Sequence, residues 1–89
     1  MKIEEIHVTN KFEKQYRRLS SKVKKAAQAK ELILRDNVFD PRLKTHKLHG
    51  KNKEAWAFYI TPRSYRITFI FLTSSRVLFL EIGTHDIYR

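Results

Sequence analysis

The sequence predicts an α+β fold in which one strand and two helices precede three strands, the two N-terminal helices packing on one face of a small, mostly antiparallel sheet. Three observations carry this. Apolar residues recur at helical spacing between Asn10 and Asp36. Aromatic and β-branched residues crowd three runs between Trp56 and Ile82. The connections between those runs are hairpin-sized, too short for parallel crossovers. A chain of 89 residues supports a single domain, 1–89, with one modest core.

The elements follow in order. Ile3, Ile6 and Val8 mark a short strand over Lys2 to Val8. Asn10 with Glu13 three residues on resembles a capping box and predicts a helix start with Asn10 as N-cap. Phe12, Tyr16 and Leu19 form its buried stripe. Ser20-Ser21 ends this helix and caps a second, whose apolar face is Val23, Ala26, Ala27, Ile33 and Leu34. Asn37 is the expected left-handed terminator. Residues Val38 to Glu54 read as a long connection, and loops of that length tend to be functional or mobile. The three strands are then Trp56 to Ile60, Tyr65 to Leu72 and Val77 to Ile82.

Charge narrows the function. The formal net charge is +10, from 19 Lys+Arg against 9 Asp+Glu. So positive a small surface suits nucleic acid, an acidic protein or anionic lipid, with solubility alone as the bland alternative. Lipid is disfavoured, because the apolar residues an interfacial helix needs are claimed by the core. The basic residues gather on the two helices and in the long connection, which carries Arg42, Lys44, Lys47, Lys51 and Lys53. There is no cysteine, which excludes disulfides, thiolate catalysis and Cys-based zinc sites and is compatible with a cytoplasmic location. Glu4 and Glu5 argue against a signal peptide, and no apolar run approaches the ~20 residues that span a bilayer.

Register supplies the candidate site. With 61–64 as the hairpin loop, Tyr59 faces Arg66, Phe58 faces Ile67 and Trp56 faces Phe69. Alternation sends Trp56, Phe58, Ile60, Tyr65, Ile67, Phe69 and Phe71 to the helix-covered face and Tyr59 and Arg66 to the other. A one-residue slip would bury Arg66, which its charge forbids. With 73–76 as the second loop, Gly83 falls beside Arg66, Leu78, Leu80 and Ile82 join the core, and Ile70, Leu72, Val77 and Phe79 make an apolar patch on the far face. That patch is to be covered by a partner, by the long connection or by the N-terminal segment. Beyond Gly83 the chain presents His85, Asp86, Tyr88 and Arg89. A strand arginine offers a fork for phosphate oxygens, and histidines such as His46 and His85 supply acid–base groups near neutral pH. Phenols donate protons or stack on bases. Together with the basic connection this is a toolkit for cleaving RNA through its own 2′-hydroxyl, a reaction that requires no metal or other cofactor. A metal set of His46, His49, His85 and Asp86 matches no recognised ligand spacing.

These residues resemble a known family. The segment Asn10-Lys11-Phe12-Glu13-Lys14, the loop from Leu43 to Gly50 with His46 and His49, the hairpin from Tyr59 to Ile67 and the tail Ile82-Gly83-Thr84-His85 are together similar to the RelE/ParE superfamily of type II toxins, and within it to YafQ-like ribosome-dependent mRNA endonucleases. The resemblance implies a RelE-like microbial RNase fold with its active site on the face away from the helices. It also implies mRNA cleavage in the ribosomal A site, a neutralising cognate antitoxin, and operator DNA bound as the toxin–antitoxin complex. By the same resemblance His46 and His85 are proton-transfer groups, Arg66 stabilises phosphate charge, and Tyr59 and Tyr88 position or donate. Arg42, Lys44, Lys47, Lys51, Lys53 and Arg63 are the expected RNA-binding set. The chain departs from the pattern in three places. Tyr59 replaces a histidine or lysine, Arg63 replaces an aspartate, and Tyr88 lies one residue closer to His85 than usual. Asp86 is expected to orient a neighbouring cation. The competing readings are a non-nucleolytic ParE-like gyrase inhibitor, disfavoured by the joint presence of His46, Arg66 and His85, and an RNA-binding homologue of weakened catalysis, motivated by Tyr59 and Arg63.

Overall fold

Residues 1–50, 54–61 and 64–84 are described by the computed structural model. The chain runs β1 (Glu5–Val8), α1 (Asn10–Arg17), α2 (Ser21–Asp36), a 3-10 turn (Pro41–Leu43), β2 (His46–Lys47), β3 (Trp56–Tyr59), β4 (Arg66–Thr73) and β5 (Arg76–Gly83). The strands form one sheet in the order β1-β5-β4-β3-β2. β1 lies parallel to β5 and all other pairs are antiparallel. The architecture is the expected two helices on a mostly antiparallel sheet, with one strand more than the sequence pattern gives. β2 lies inside the connection read as irregular, and Leu48 N–H donating to Ala55 O at 2.9 Å continues its pairing with β3.

Helix boundaries differ in their chemistry. The N-cap of α1 is Thr9, not Asn10: its extended backbone lets Oγ1 accept from Phe12 N–H at 3.0 Å. Ser20 caps α2 in the same way through Val23 N–H. Asn37 ends α2 in an extended conformation, so it is no left-handed terminator. The left-handed residue is Lys44, with φ 52°, closing the 3-10 turn. Phe12 of α1 and Ala27 and Leu34 of α2 are buried against Phe58, Ile67, Phe69, Val77, Phe79 and Ile82 of the sheet. Val38 and Leu43 extend this core beneath the connection, where Thr45 Oγ1 donates to Val38 O at 2.6 Å. No helix among the described residues is long and apolar enough to cross a membrane.

The β3–β4 register is the expected one: Trp56↔Phe69, Ala57↔Thr68, Phe58↔Ile67 and Tyr59↔Arg66. The β4–β5 register is the expected one only at Arg66↔Gly83, Ile67↔Ile82 and Thr68↔Glu81; at the far end Thr73 and Arg76, expected in the loop, are paired. Irregularities after Thr68 and after Phe71 enclose a segment slipped by one residue, with Phe69↔Phe79, Ile70↔Leu78 and Phe71↔Val77. A one-residue slip exchanges the faces. Val77 and Phe79 are therefore buried on the helix side, while Leu78 pairs with Ile70 on the far side and is only partly buried. The expected far-face patch of Ile70, Leu72, Val77 and Phe79 thus does not form. The slip seats the Phe79 ring 5.4 Å from Phe12 and 5.8 Å from Phe58, an aromatic cluster that regular alternation would break.

The bulge also disturbs the outer edge of β5, where β1 pairing stops at Val8↔Phe79. Side chains of α1 and its cap take over. Thr9 Oγ1 donates to Leu80 O at 2.8 Å, and Ile82 N–H donates to Gln15 Oε1 at 2.8 Å. The strand end that carries Gly83 is therefore tied to the helix layer through Leu80 O and Ile82 N–H.

Candidate functional site

On the sheet face away from the helices, three side chains form a row across β2, β3 and β4. His46 lies opposite Ala57, so alternation puts it on the same face as Tyr59 two residues on. Its imidazole stacks on the Tyr59 ring, with centroids 5.6 Å apart and planes at 29°. From the other side, the Arg66 guanidinium carbon lies 4.8 Å from the Tyr59 centroid. Gly83 stands across from Arg66 on β5. The sequence places Tyr59, Arg66 and Gly83 together through hairpin register. The structure adds His46, which no local pattern could join to them because the strand that carries it is two residues long.

The loop before β2 fixes His46. Asp40 caps the 3-10 turn, accepting from Arg42 N–H at 2.9 Å. Its carboxylate also takes both ends of the Arg42 fork, Nε at 3.0 Å and Nη2 at 2.9 Å. These hydrogen bonds from Arg42 hold the Asp40 carboxyl at about 2, well below its ordinary value, and Asp40 in turn raises Arg42. The turn ends in Lys44, whose positive φ is uncommon for a side-chain-bearing residue. The Lys44 carbonyl lies 2.9 Å from His46 Nδ1. A carbonyl only accepts, so Nδ1 carries the hydrogen in this contact, and in the neutral ring Nε2 is the nitrogen with the lone pair. The value of Lys44 to the site is its backbone oxygen, for which the sequence carries no signal.

The remaining expected residues divide. Arg42 is exposed, but its fork is engaged by Asp40. Lys47 points to the helix side of the sheet, with its ammonium 5.8 Å from the Trp56 centroid, opposite in direction to His46. His7 lies 3.3 Å from Glu5 on β1, outside the row. Lys51, Lys53, Arg63, His85, Asp86 and Tyr88 fall outside the described residues. No three metal-ligating side chains converge among the described residues.

Two charged groups border the row that the sequence reading did not single out. Glu81 pairs with Thr68, next to the Arg66–Gly83 pair and on the same face. Lys11, in the first turn of α1, lies 2.7 Å from Glu81. The position of Glu81 two residues before Gly83 signals its face, but nothing in the sequence points from Lys11 to it. Thr68 is buried, and its hydroxyl has no hydrogen-bond partner among the described residues.

No family model and no curated protein matches the sequence. Solved structures do match the fold. The YoeB/ParE toxin from Agrobacterium tumefaciens superposes with a TM-score of 0.76 at 15% identity, covering 92% of this chain and 99% of that one. A chain of the E. coli DinJ-YafQ toxin–antitoxin complex gives 0.74 at 19% identity, covering 98% and 97%. A chain of the archaeal RelE-RelB complex from Pyrococcus horikoshii OT3 gives 0.70 at 14% identity, covering 94% and 96%. The chain shares the fold of these toxin structures.

Proposed function

We propose that this chain is the toxin of a type II toxin–antitoxin system, a ribosome-dependent endoribonuclease that cuts mRNA in the A site. The observation that carries this reading is the row His46–Tyr59–Arg66, a base, a spacer and a phosphate-binding fork brought together on the sheet face away from the helices. In the reaction a 2′-hydroxyl loses its proton and its oxygen bonds to the adjacent phosphorus. The bond from phosphorus to the 5′-oxygen breaks, and that oxygen takes up a proton. His46 suits the first proton transfer, because its Nδ1–H contact leaves Nε2 as the accepting nitrogen. Arg66 suits the charge that develops on the phosphate oxygens. His85 is assigned the second proton transfer and Tyr88 a positioning role, both on the sequence resemblance alone. No cofactor enters the scheme.

The net charge of +10 supports ribosomal RNA and mRNA as the surfaces approached. Lys44, Lys51, Lys53 and Arg63 are the assigned contacts, with Arg42 secondary because Asp40 holds it and Lys47 set aside because it lies on the opposite face from His46. The likeness to a chain of a toxin–antitoxin complex supports a cognate antitoxin as partner, with operator DNA bound by the pair. A cytoplasmic location follows from a ribosomal target.

The test is expression without an antitoxin, with primer extension on translated mRNA. Growth arrest and new 5′ ends within reading frames are expected. His46→Ala and Arg66→Ala each lower cleavage by on the order of a hundredfold or more. Cleavage that persists in the double variant sinks the assignment. Inhibition of DNA supercoiling by the purified chain, without mRNA cuts, selects the gyrase reading instead.

A further inference from the structure

We infer that Tyr59 serves the site through its ring and not through its hydroxyl, as the spacer that sets the distance and orientation of His46 and Arg66. The inference rests on the endonuclease reading and sharpens it, since a phenol at this place could otherwise be taken for the proton donor to the leaving oxygen.

Strand order supplies the first step. β3 lies between β2 and β4, so His46 and Arg66 approach Tyr59 from opposite sides. Both faces of the ring are then occupied, one by the imidazole and the other by the guanidinium. A ring so enclosed has no open face for a nucleobase, which removes stacking on RNA as its role. Among the described residues the Tyr59 hydroxyl makes no hydrogen bond. The contacts that are built are those of the ring: an arginine over the electron-rich face of an aromatic, and a second aromatic stacked on it.

The second step is the chemistry of the neighbours. A guanidinium that binds a phosphate must be held in plane, and an imidazole that takes a proton must present one nitrogen. The Lys44 carbonyl fixes His46 at Nδ1, and the Tyr59 ring fixes the tilt of its plane. The Tyr59↔Arg66 pairing puts the guanidinium against the same ring. One rigid side chain thus aligns two reacting groups that come from strands with no direct contact.

The test is the series Tyr59→Phe, Tyr59→Leu and Tyr59→Ala, read by primer extension on translated mRNA and by proton NMR of the His46 ring. Tyr59→Phe is expected to cut within about twofold of wild type, whereas loss of a general acid costs on the order of a hundredfold or more. Tyr59→Leu and Tyr59→Ala, which lack the ring, are expected to lose on the order of a hundredfold through misalignment. The His46 ring protons are expected to be shielded in wild type and Tyr59→Phe, and to move downfield in whichever aliphatic variant retains its fold. Tyr59→Phe falling to the level of Tyr59→Leu overturns the inference, as do His46 shifts that ignore removal of the ring. Ring-dependent His46 shifts in a wild-type chain that never cuts mRNA leave the spacer geometry standing and sink the nuclease reading alone.

Discussion

The two hairpins of the sheet follow one sequence pattern and obey different rules. In β3–β4 every pair is the one that simple alternation gives, down to Tyr59↔Arg66. In β4–β5 the same alternation holds at the Arg66↔Gly83 end and fails in the middle, where three pairs are slipped by one residue. The difference lies in where charge is available to decide. Arg66 pins the first hairpin, because burying a guanidinium is far costlier than any repacking. Along 69–72 and 77–80 every residue is apolar, so neither face is marked as solvent-facing. There the choice passes to packing, and the Phe12–Phe58–Phe69–Phe79 cluster on the helix side takes Phe79.

The sharpest way to break this comparison is to truncate the two faces of β5 separately. Phe79→Ala is expected to cost about 3–5 kcal/mol of stability, the range for a fully buried aromatic. Leu78→Ala, on the partly buried far side, should cost about half as much or less. Urea denaturation of the two variants measures both. Equal losses, or a larger one at Leu78, would mean that the unslipped register is populated.

The same contrast explains how much of the site could be read from the chain. Tyr59, Arg66 and Gly83 were legible because hairpin register is local and a charge fixed it. His46 was legible as a chemical type but not as a neighbour. Its place depends on the two-residue β2, and on an Asp40–Arg42 turn whose hydrogen bonds sequence periodicity does not encode. Glu81 could have been found by counting back from Gly83, whereas Lys11 reaches it from a helix 70 residues earlier. The helix starts show the same limit. Thr9 and Asn10 are both good caps, and Thr9 prevails because its hydroxyl also serves Leu80 O, an acceptor created by the bulge.

That double service gives a smaller prediction. Thr9→Ala removes the cap to Phe12 N–H and the donor to Leu80 O together, and is expected to cost about 1–2 kcal/mol. Thr9→Asn keeps a cap while changing the reach to the strand. If Thr9→Asn matches wild type in urea denaturation, the cap alone accounts for Thr9, and the bulge needs no support from α1. An intermediate loss supports the link between the helix start and the slipped strand.

The smallest expected effect concerns the turn that delivers His46, and it is read best through pH. Asp40 has its carboxyl held at about 2 in the fold, against an ordinary value of 3.8, by hydrogen bonds from Arg42. A depressed carboxyl contributes stability that is fully present above the unfolded value, fades as pH falls from 3.8 toward 2, and is absent below. The Arg42 side chain is exposed and Asp40 is only partly buried, so solvent screening keeps the contribution modest. Melting temperatures of wild type and Asp40→Asn should therefore differ at pH 6 and converge at pH 2. The variant should also weaken mRNA cleavage at neutral pH, because a looser turn no longer fixes the Lys44 carbonyl against His46 Nδ1. Stability and cleavage that are both unchanged at pH 6 would show that β2 pairing alone sets His46. Its place would then be decided by the sheet, as Phe79 is, and not by a local charge, as Arg66 is.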